Sequence, residues 1–111
     1  MANTFTRKLS RGIGTTATQV GSYTVGSSTA TVVVGLTVTN TSGGAITANV
    51  YINDQSAANT YVVTNAPISS GASLVPIGGD QKIVLITGDK IYVQSSAASS
   101  IDAILSIMEI T

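Results

Sequence analysis

Acid–base chemistry in this 111-residue sequence would rest on five carboxylates, Asp54, Asp80, Asp89, Asp102 and Glu109, because the chain contains neither histidine nor cysteine. Without imidazole or thiol there is no Ser/His or Cys/His pair to make a nucleophile, and no thiolate or imidazole zinc site. A glycosidase needs two carboxyl groups facing each other across a cleft, and nothing in the spacing of these five pairs them. Asp80 and Asp89 each follow a glycine in a turn tripeptide, Gly78-Gly79-Asp80 and Thr87-Gly88-Asp89. There an aspartate side chain accepts hydrogen bonds from nearby backbone N–H groups. Asn53, Asp54 and Gln55 form an oxygen-rich turn, but the spacing of a dedicated calcium loop is absent. No G-x-S-x-G elbow or phosphate-binding glycine loop occurs. Gly12-Ile13-Gly14 resembles the start of a dinucleotide-binding loop but no strand is read before it. Neither enzymatic activity nor a cofactor or metal is expected.

Binding chemistry is better represented. Tyr23, Tyr51, Tyr61 and Tyr92 would make a glycan platform if they clustered outside, Tyr51 being the best placed; spread over separate strands they would simply cover the sandwich edge, which is the expectation. The first eleven residues hold Arg7, Lys8 and Arg11 and no acid, so the remainder carries Lys82 and Lys90 against all five acids. Arm and body are therefore oppositely charged, and the arm can lie on its own body, on a neighbouring copy or on an acidic protein surface. Three cations without clustered aromatics make a poor nucleic-acid footprint, so nucleic acid is not the expected partner. Phe5, Leu9 and Ile13 recur at helical spacing as in a targeting peptide, but Gly12 and Gly14 break that pattern. No secretory h-region and no apolar run long enough to span a membrane is seen, and no membrane partner is expected.

These groups must be positioned by β-structure. From Thr15 onward the sequence alternates with period two, is rich in Val, Ile and Thr, and is punctuated by Gly, Asn and Ser every eight to twelve residues. Strands are expected at about Thr18–Val25, Thr31–Asn40, Ile46–Asn53, Ala58–Thr64, Ser73–Ile77, Gln81–Ile86, Lys90–Gln94 and Ile101–Ile110. In the second, Val32, Val34, Leu36 and Val38 are expected to face the core; in the third, Ile46, Ala48, Val50 and Ile52 face inward and Tyr51 outward. Asn40-Thr41-Ser42-Gly43-Gly44 between them reads as a tight hairpin turn with its glycines at positive φ. Gly35, inside a strong strand, marks a bulge or a close backbone approach. The last strand lines one face with Ile101, Ala103, Leu105 and Ile107 and carries Ile104, Met108 and Ile110 on the other, which makes those three the candidate oligomer interface. The fold class is all-β: an antiparallel two-sheet β-sandwich, jelly-roll-like, of about eight strands, with an extended basic arm over 1–14 and a single domain over 15–111.

Charged residues make up only 9% of the chain, against about 25% in an average soluble domain. Such a surface is wetted by Ser, Thr, Asn and Gly or is hidden against other subunits.

Met1-Ala2-Asn3-Thr4-Phe5-Thr6-Arg7-Lys8, Gly78-Gly79-Asp80-Gln81-Lys82-Ile83-Val84-Leu85, Gly88-Asp89-Lys90-Ile91-Tyr92-Val93 and Ile101-Asp102-Ala103-Ile104-Leu105-Ser106 followed by Glu109-Ile110 resemble small β-sandwich virion structural proteins of tailed bacteriophages, of the capsid decoration or cement type. The resemblance runs over nearly the whole chain. It implies a virion location and a homo-oligomer, often a trimer. It further implies, as partner, the major capsid protein or another virion protein, and the alternative readings are a neck, tail or baseplate component or a receptor-binding tail module. On this reading Phe5, Arg7, Lys8, Leu9 and Arg11 form a capsid-anchoring arm.

Overall fold

The structure, a computed structural model, describes residues 2–111; Met1, the first residue of the expected arm, lies outside the described residues. Among the described residues there are nine strands: β1 (Asn3–Ile13), β2 (Thr18–Gln19), β3 (Ala30–Asn40), β4 (Ile46–Asn53), β5 (Asn59–Ile68), β6 (Ser73–Ile77), β7 (Ile83–Leu85), β8 (Lys90–Ser95) and β9 (Ile101–Ile110). They form two antiparallel sheets. The larger has the order β1-β9-β3-β6, with β7 also on β3, and the smaller has the order β2-β8-β4-β5. Since β6 and β7 both pair with β3 and are separated by a short turn, they act as one interrupted strand. The strand order is then that of an eight-stranded jelly roll built from two Greek keys.

The core is the sheet-to-sheet interface. From the larger sheet come Val33, Leu36, Val38, Ile77, Leu85, Ile101, Ala103, Leu105 and Ile107; from the smaller come Ile46, Ala48, Val50, Ile68, Ile91 and Val93, all buried. Branched aliphatics at alternate positions suit this layer because their stiff side chains pack on a pleated surface. The inward faces expected for β4 and β9 are found, Ile52 packing against the core from the rim.

Three local expectations are corrected. In β3, Leu36 and Val38 point inward but Val32 and Val34 do not; Thr31 and Val33 are buried instead. The register along β9 passes from Val33↔Ile107 to Gly35↔Ser106, so Val34 is an inserted residue. This bulge at Gly35 moves the buried set from odd to even positions.

The segment read as a strand over Thr18–Val25 is extended only at β2 and then forms a 3-10 turn over Val20–Ser22. Gly21 (φ +59°) and Ser22 (φ +54°) adopt consecutive left-handed conformations, which end the extended backbone there.

The Asn40–Gly44 connection is not a hairpin. It carries the chain from the larger sheet to the smaller one, since β3 and β4 lie in different sheets, and neither Gly43 nor Gly44 has positive φ. The fully buried Asn40 side chain organises this corner. Its Nδ2 donates to the carbonyls of Gly44 (2.8 Å) and Ile68 (3.0 Å), and its Oδ1 accepts from the N–H and hydroxyl of Ser42 (2.9 and 2.7 Å).

The basic segment enters the sheet directly. Asn3–Ile13 run antiparallel to β9 in the register Thr4↔Glu109 to Ser10↔Ala103, and a bulge before Ile13↔Ile101 is closed by the Gly12 N–H donating to Asp102 Oδ1 (3.0 Å). Of the side chains in β1 only Ile13 is buried.

Candidate assembly surface

The outer face of the larger sheet is assembled from residues that are far apart in sequence. Alternation along β1 sends Phe5, Arg7 and Leu9 to this face, and alternation along β9 sends Ile104, Ser106, Met108 and Ile110 there. The pairings Phe5↔Met108, Met108↔Val32 and Val32↔Val84 then lay a transverse apolar row across β1, β9, β3 and β7. A second row joins Leu9, Ile104 and Thr37. Phe5 is 74% exposed, Val84 62% and Ile104 47%. Val34, pushed outward by the bulge, sits with Phe5, Arg7 and Ser106 around a shallow groove between the two rows. Ile86 and Ile110 line another at the end of the sheet.

Contiguous apolar rows of this kind on a sheet face mark an interaction surface, whereas isolated exposed aliphatics do not. The anchor candidates Phe5, Arg7 and Leu9 and the interface candidates Ile104, Met108 and Ile110 thus lie on one surface. In the sequence they form two separate groups a hundred residues apart. Arg7 stands among apolar neighbours, and Arg11 lines a groove with Leu9, Asp102 and Ile104.

Lys8 is on the opposite face of β1. Its Nζ lies 5.4 Å from the centroid of the Tyr23 ring, a cation–π contact. The Tyr23 hydroxyl donates to Glu109 Oε2 (2.8 Å) and shares a hydrogen bond with Thr31 Oγ1 (2.7 Å). Burial pushes the Tyr23 phenol above its ordinary pKa; the bond to Thr31 opposes that shift and Glu109 adds to it. The 3-10 turn therefore clamps β1 from this side, helped by the Gly21 N–H donating to Ser10 Oγ (2.8 Å).

The outer face of the smaller sheet brings together three of the four tyrosines that the sequence leaves scattered. The register Tyr92↔Tyr51↔Tyr61 across β8, β4 and β5 stacks Tyr51 on Tyr92 (centroids 5.3 Å apart, 5° between planes) and tilts Tyr61 against it (5.1 Å, 49°). Burial raises the Tyr51 pKa, with smaller contributions from Tyr61 and then Tyr92. Sugars stack on ring faces, and the faces of Tyr51 are turned toward its two neighbours. The row offers solvent the ring edges of its central member, which does not favour a glycan platform centred on Tyr51. Only the strand order β8-β4-β5, invisible in the sequence, makes these residues neighbours.

Four of the five carboxylates are occupied structurally; Asp80 is exposed and, among the described residues, accepts none of the backbone N–H groups expected for its turn. Asp54 Oδ1 accepts the N–H groups of Ser56 and Ala58, Asp89 Oδ2 accepts that of Ile86, Asp102 holds Gly12, and Glu109 holds Tyr23. Among the described residues no three acids gather where they could hold a metal ion. Gly12-Ile13-Gly14 spans the end of strand β1 and opens no helix.

No family model matches the chain, and no curated protein sequence matches it. In fold it is similar to a chain from a structure described as "Bacillus endospore appendages form a novel family of disulfide-linked pili", with a TM-score of 0.54 and 15% identity over 100% of this chain and 91% of that one. Weaker likenesses are to a chain of infectious bursal disease virus Gt strain (TM-score 0.45, 11% identity, 98% of this chain and 30% of that one) and to the virus-like particle of the giant freshwater prawn Macrobrachium rosenbergii extra small virus (TM-score 0.41, 10% identity, 98% and 79%). The chain spans about a third of the bursal disease virus chain. At these identities the likeness is one of fold. With no cysteine in the sequence, disulfide linkage of the kind named for the endospore appendages is not open to this chain.

Proposed function

We propose that this protein is a non-enzymatic structural subunit of a tailed-phage virion, a capsid decoration or cement protein that docks through the outer face of its larger sheet. The observation that carries this reading is the pair of apolar rows joining Phe5, Met108, Val32 and Val84 and joining Leu9 to Ile104, with Arg7 set between them. Buried against the major capsid protein or a neighbouring copy, the rows lose their contact with water, and Arg7 and Arg11 pair with carboxylates. The sequence resemblance to phage virion proteins, the low charge and the absence of any nucleophile–base pair all support the reading. The trimer implied by that resemblance belongs to the same proposal. Bridging neighbouring capsomers adds binding free energy that the separated subunits lack, and many weak contacts multiply.

The test is the copy number of this chain per purified particle, by quantitative mass spectrometry against the major capsid protein. About one copy per capsid subunit supports a shell component; a few per hundred moves it to the neck, tail or baseplate. Phe5→Ser combined with Ile104→Ser should leave the isolated domain folded and abolish attachment to capsids stripped of the protein. Full attachment of the double variant would overturn the assigned surface.

A further inference from the structure

The four sheet edges differ in how well they are guarded. β2 offers two residues, β6 is five residues long and contains Pro76, and β5 carries Pro67 and is broken by two bulges, at one of which Asn65 is left-handed (φ +49°). These are devices that stop one sheet from adding to another. β1 lacks proline and bulges over Asn3–Ser10, where it holds an unbroken register on β9 and ends the sheet; its guards there are the charges of Arg7 and Lys8.

The backbone groups on that edge can be identified. Ala2 and Thr111 exchange both hydrogen bonds (3.2 and 3.0 Å), so by the alternation of an antiparallel ladder Thr4, Thr6, Lys8 and Ser10 bond to β9. Asn3, Phe5, Arg7 and Leu9 then direct their N–H and C=O groups away from the sheet.

We propose that a second copy of this chain pairs with this edge, β1 against β1 about a two-fold axis, making one continuous sheet from the two larger sheets. Charge selects the register. Outward-bonding residues must face one another, and centring the axis on Arg7 sets Arg7 opposite its own copy. Centring it on Lys8 does the same for lysine. Directly opposed like charges disfavour both. Centred on Thr6, Arg7 lies opposite Phe5, Lys8 opposite Thr4, Leu9 opposite Asn3 and Ser10 opposite Ala2, so no cation among the described residues faces a cation. This is the longest pairing with that property, and it forms about eight backbone hydrogen bonds. It also supplies Phe5, covered only on its β9 side by Met108, with a guanidinium neighbour on the other. The outer faces of the two copies become one apolar surface. Arg7 and its copy remain diagonal neighbours, so association strengthens with salt. An acidic partner strand on the same edge would show the opposite salt dependence. This inference concerns the edge of β1 alone and does not depend on the virion reading.

Because the chain has no cysteine, single-cysteine variants read the register directly. In the Thr6-centred register Thr6 faces itself at a non-hydrogen-bonded position, where the Cα atoms lie about 4.5 Å apart and a disulfide forms readily. On oxidation of the full-length protein, Thr6→Cys should form disulfide dimer roughly tenfold or more faster than Ser27→Cys at an exposed site remote from the edge. Arg7→Pro removes an outward N–H without touching the β9 ladder and should leave a folded monomer, whereas Arg7→Ala should retain the dimer by analytical ultracentrifugation. Cross-linking of Thr6→Cys no faster than Ser27→Cys, a dimer that survives Arg7→Pro, or a monomeric wild type that salt does not drive together would overturn the proposal. Preferential cross-linking through Arg7→Cys or Lys8→Cys would refute the register.

Discussion

Asn40→Ala tests the corner on which the two-sheet topology turns. The Asn40 side chain holds the carbonyls of Gly44 and Ile68 and the N–H and hydroxyl of Ser42 together at a fully buried site. Truncation removes a buried donor from the Ile68 carbonyl, which keeps its ladder partner Ile46 across β4 and β5, at a cost of about 0.5–1.5 kcal/mol. Gly44 and Ser42 are nearer to water, and Gly44 keeps the Ser42 hydroxyl at 3.0 Å; their losses are about 0.5–1.5 kcal/mol each. The expected destabilisation is about 3 kcal/mol, a large part of the roughly 5–15 kcal/mol available to a domain. With a urea m-value of about 2 kcal/mol/M, the midpoint should fall by about 1.5 M in equilibrium unfolding followed by far-UV circular dichroism. Asn40→Asp keeps the volume but turns a carboxylate toward two carbonyl oxygens. Its folded pKa must then lie above the unfolded value of about 3.9. The variant should approach wild type below that pH and lose stability as pH rises through the folded pKa. A midpoint for Asn40→Ala within about 0.3 M of wild type, or an Asn40→Asp deficit independent of pH, would refute the reasoning.

Two further outcomes are expected. Tyr23 and Tyr51 both have folded pKa values raised above 10.0, chiefly by burial, so their contribution to stability is complete below about pH 10 and is lost as pH rises through the folded values. Urea midpoints at pH 9 and pH 11 should differ less in Tyr23→Phe than in wild type, and an unchanged difference would count against this account of Tyr23. Gly21 has φ +59°, and a Cβ there would overlap that of Lys8, whereas a Cβ on Gly35 would meet only the Ile77 carbonyl at 3.5 Å. Gly21→Ala should cost about 1–3 kcal/mol or more and loosen β1 in hydrogen exchange, with Gly35→Ala within about 0.5 kcal/mol of wild type; equal costs would refute the clamp.

The exposed surface row Phe5–Met108–Val32–Val84 shows how legibility divides. Each apolar residue is visible in the sequence, and Met108 stands out because β9 is apolar on both faces. What the sequence does not contain is that β1 and β9 are neighbours, since backbone pairing is the same whatever side chains it carries. The inward set of β3 departs from simple alternation at Val32 and Val34 because period-two counting assumes an unbroken ladder, and Val34 adds one residue without any change of residue type. The tyrosine row is not visible in the sequence for a related reason: three residues of one kind on three strands meet only if those strands pair in register.

Period-two patterning, β-branched composition and turn residues determined by themselves that this chain is an antiparallel β-sandwich, because those signals act within a few residues and need no partner. The absence of histidine and cysteine likewise determined which chemistry was closed to it. The tertiary structure alone decided that Asn40–Gly44 crosses between sheets, that Phe5 and Leu9 share a face with Ile104 and Met108, and that β1 ends the sheet with the outward groups of Asn3, Phe5, Arg7 and Leu9 unpaired among the described residues. These depend on which strand lies beside which, and strand order is fixed by burying all the inward faces at once, a property of the whole chain that no local segment encodes.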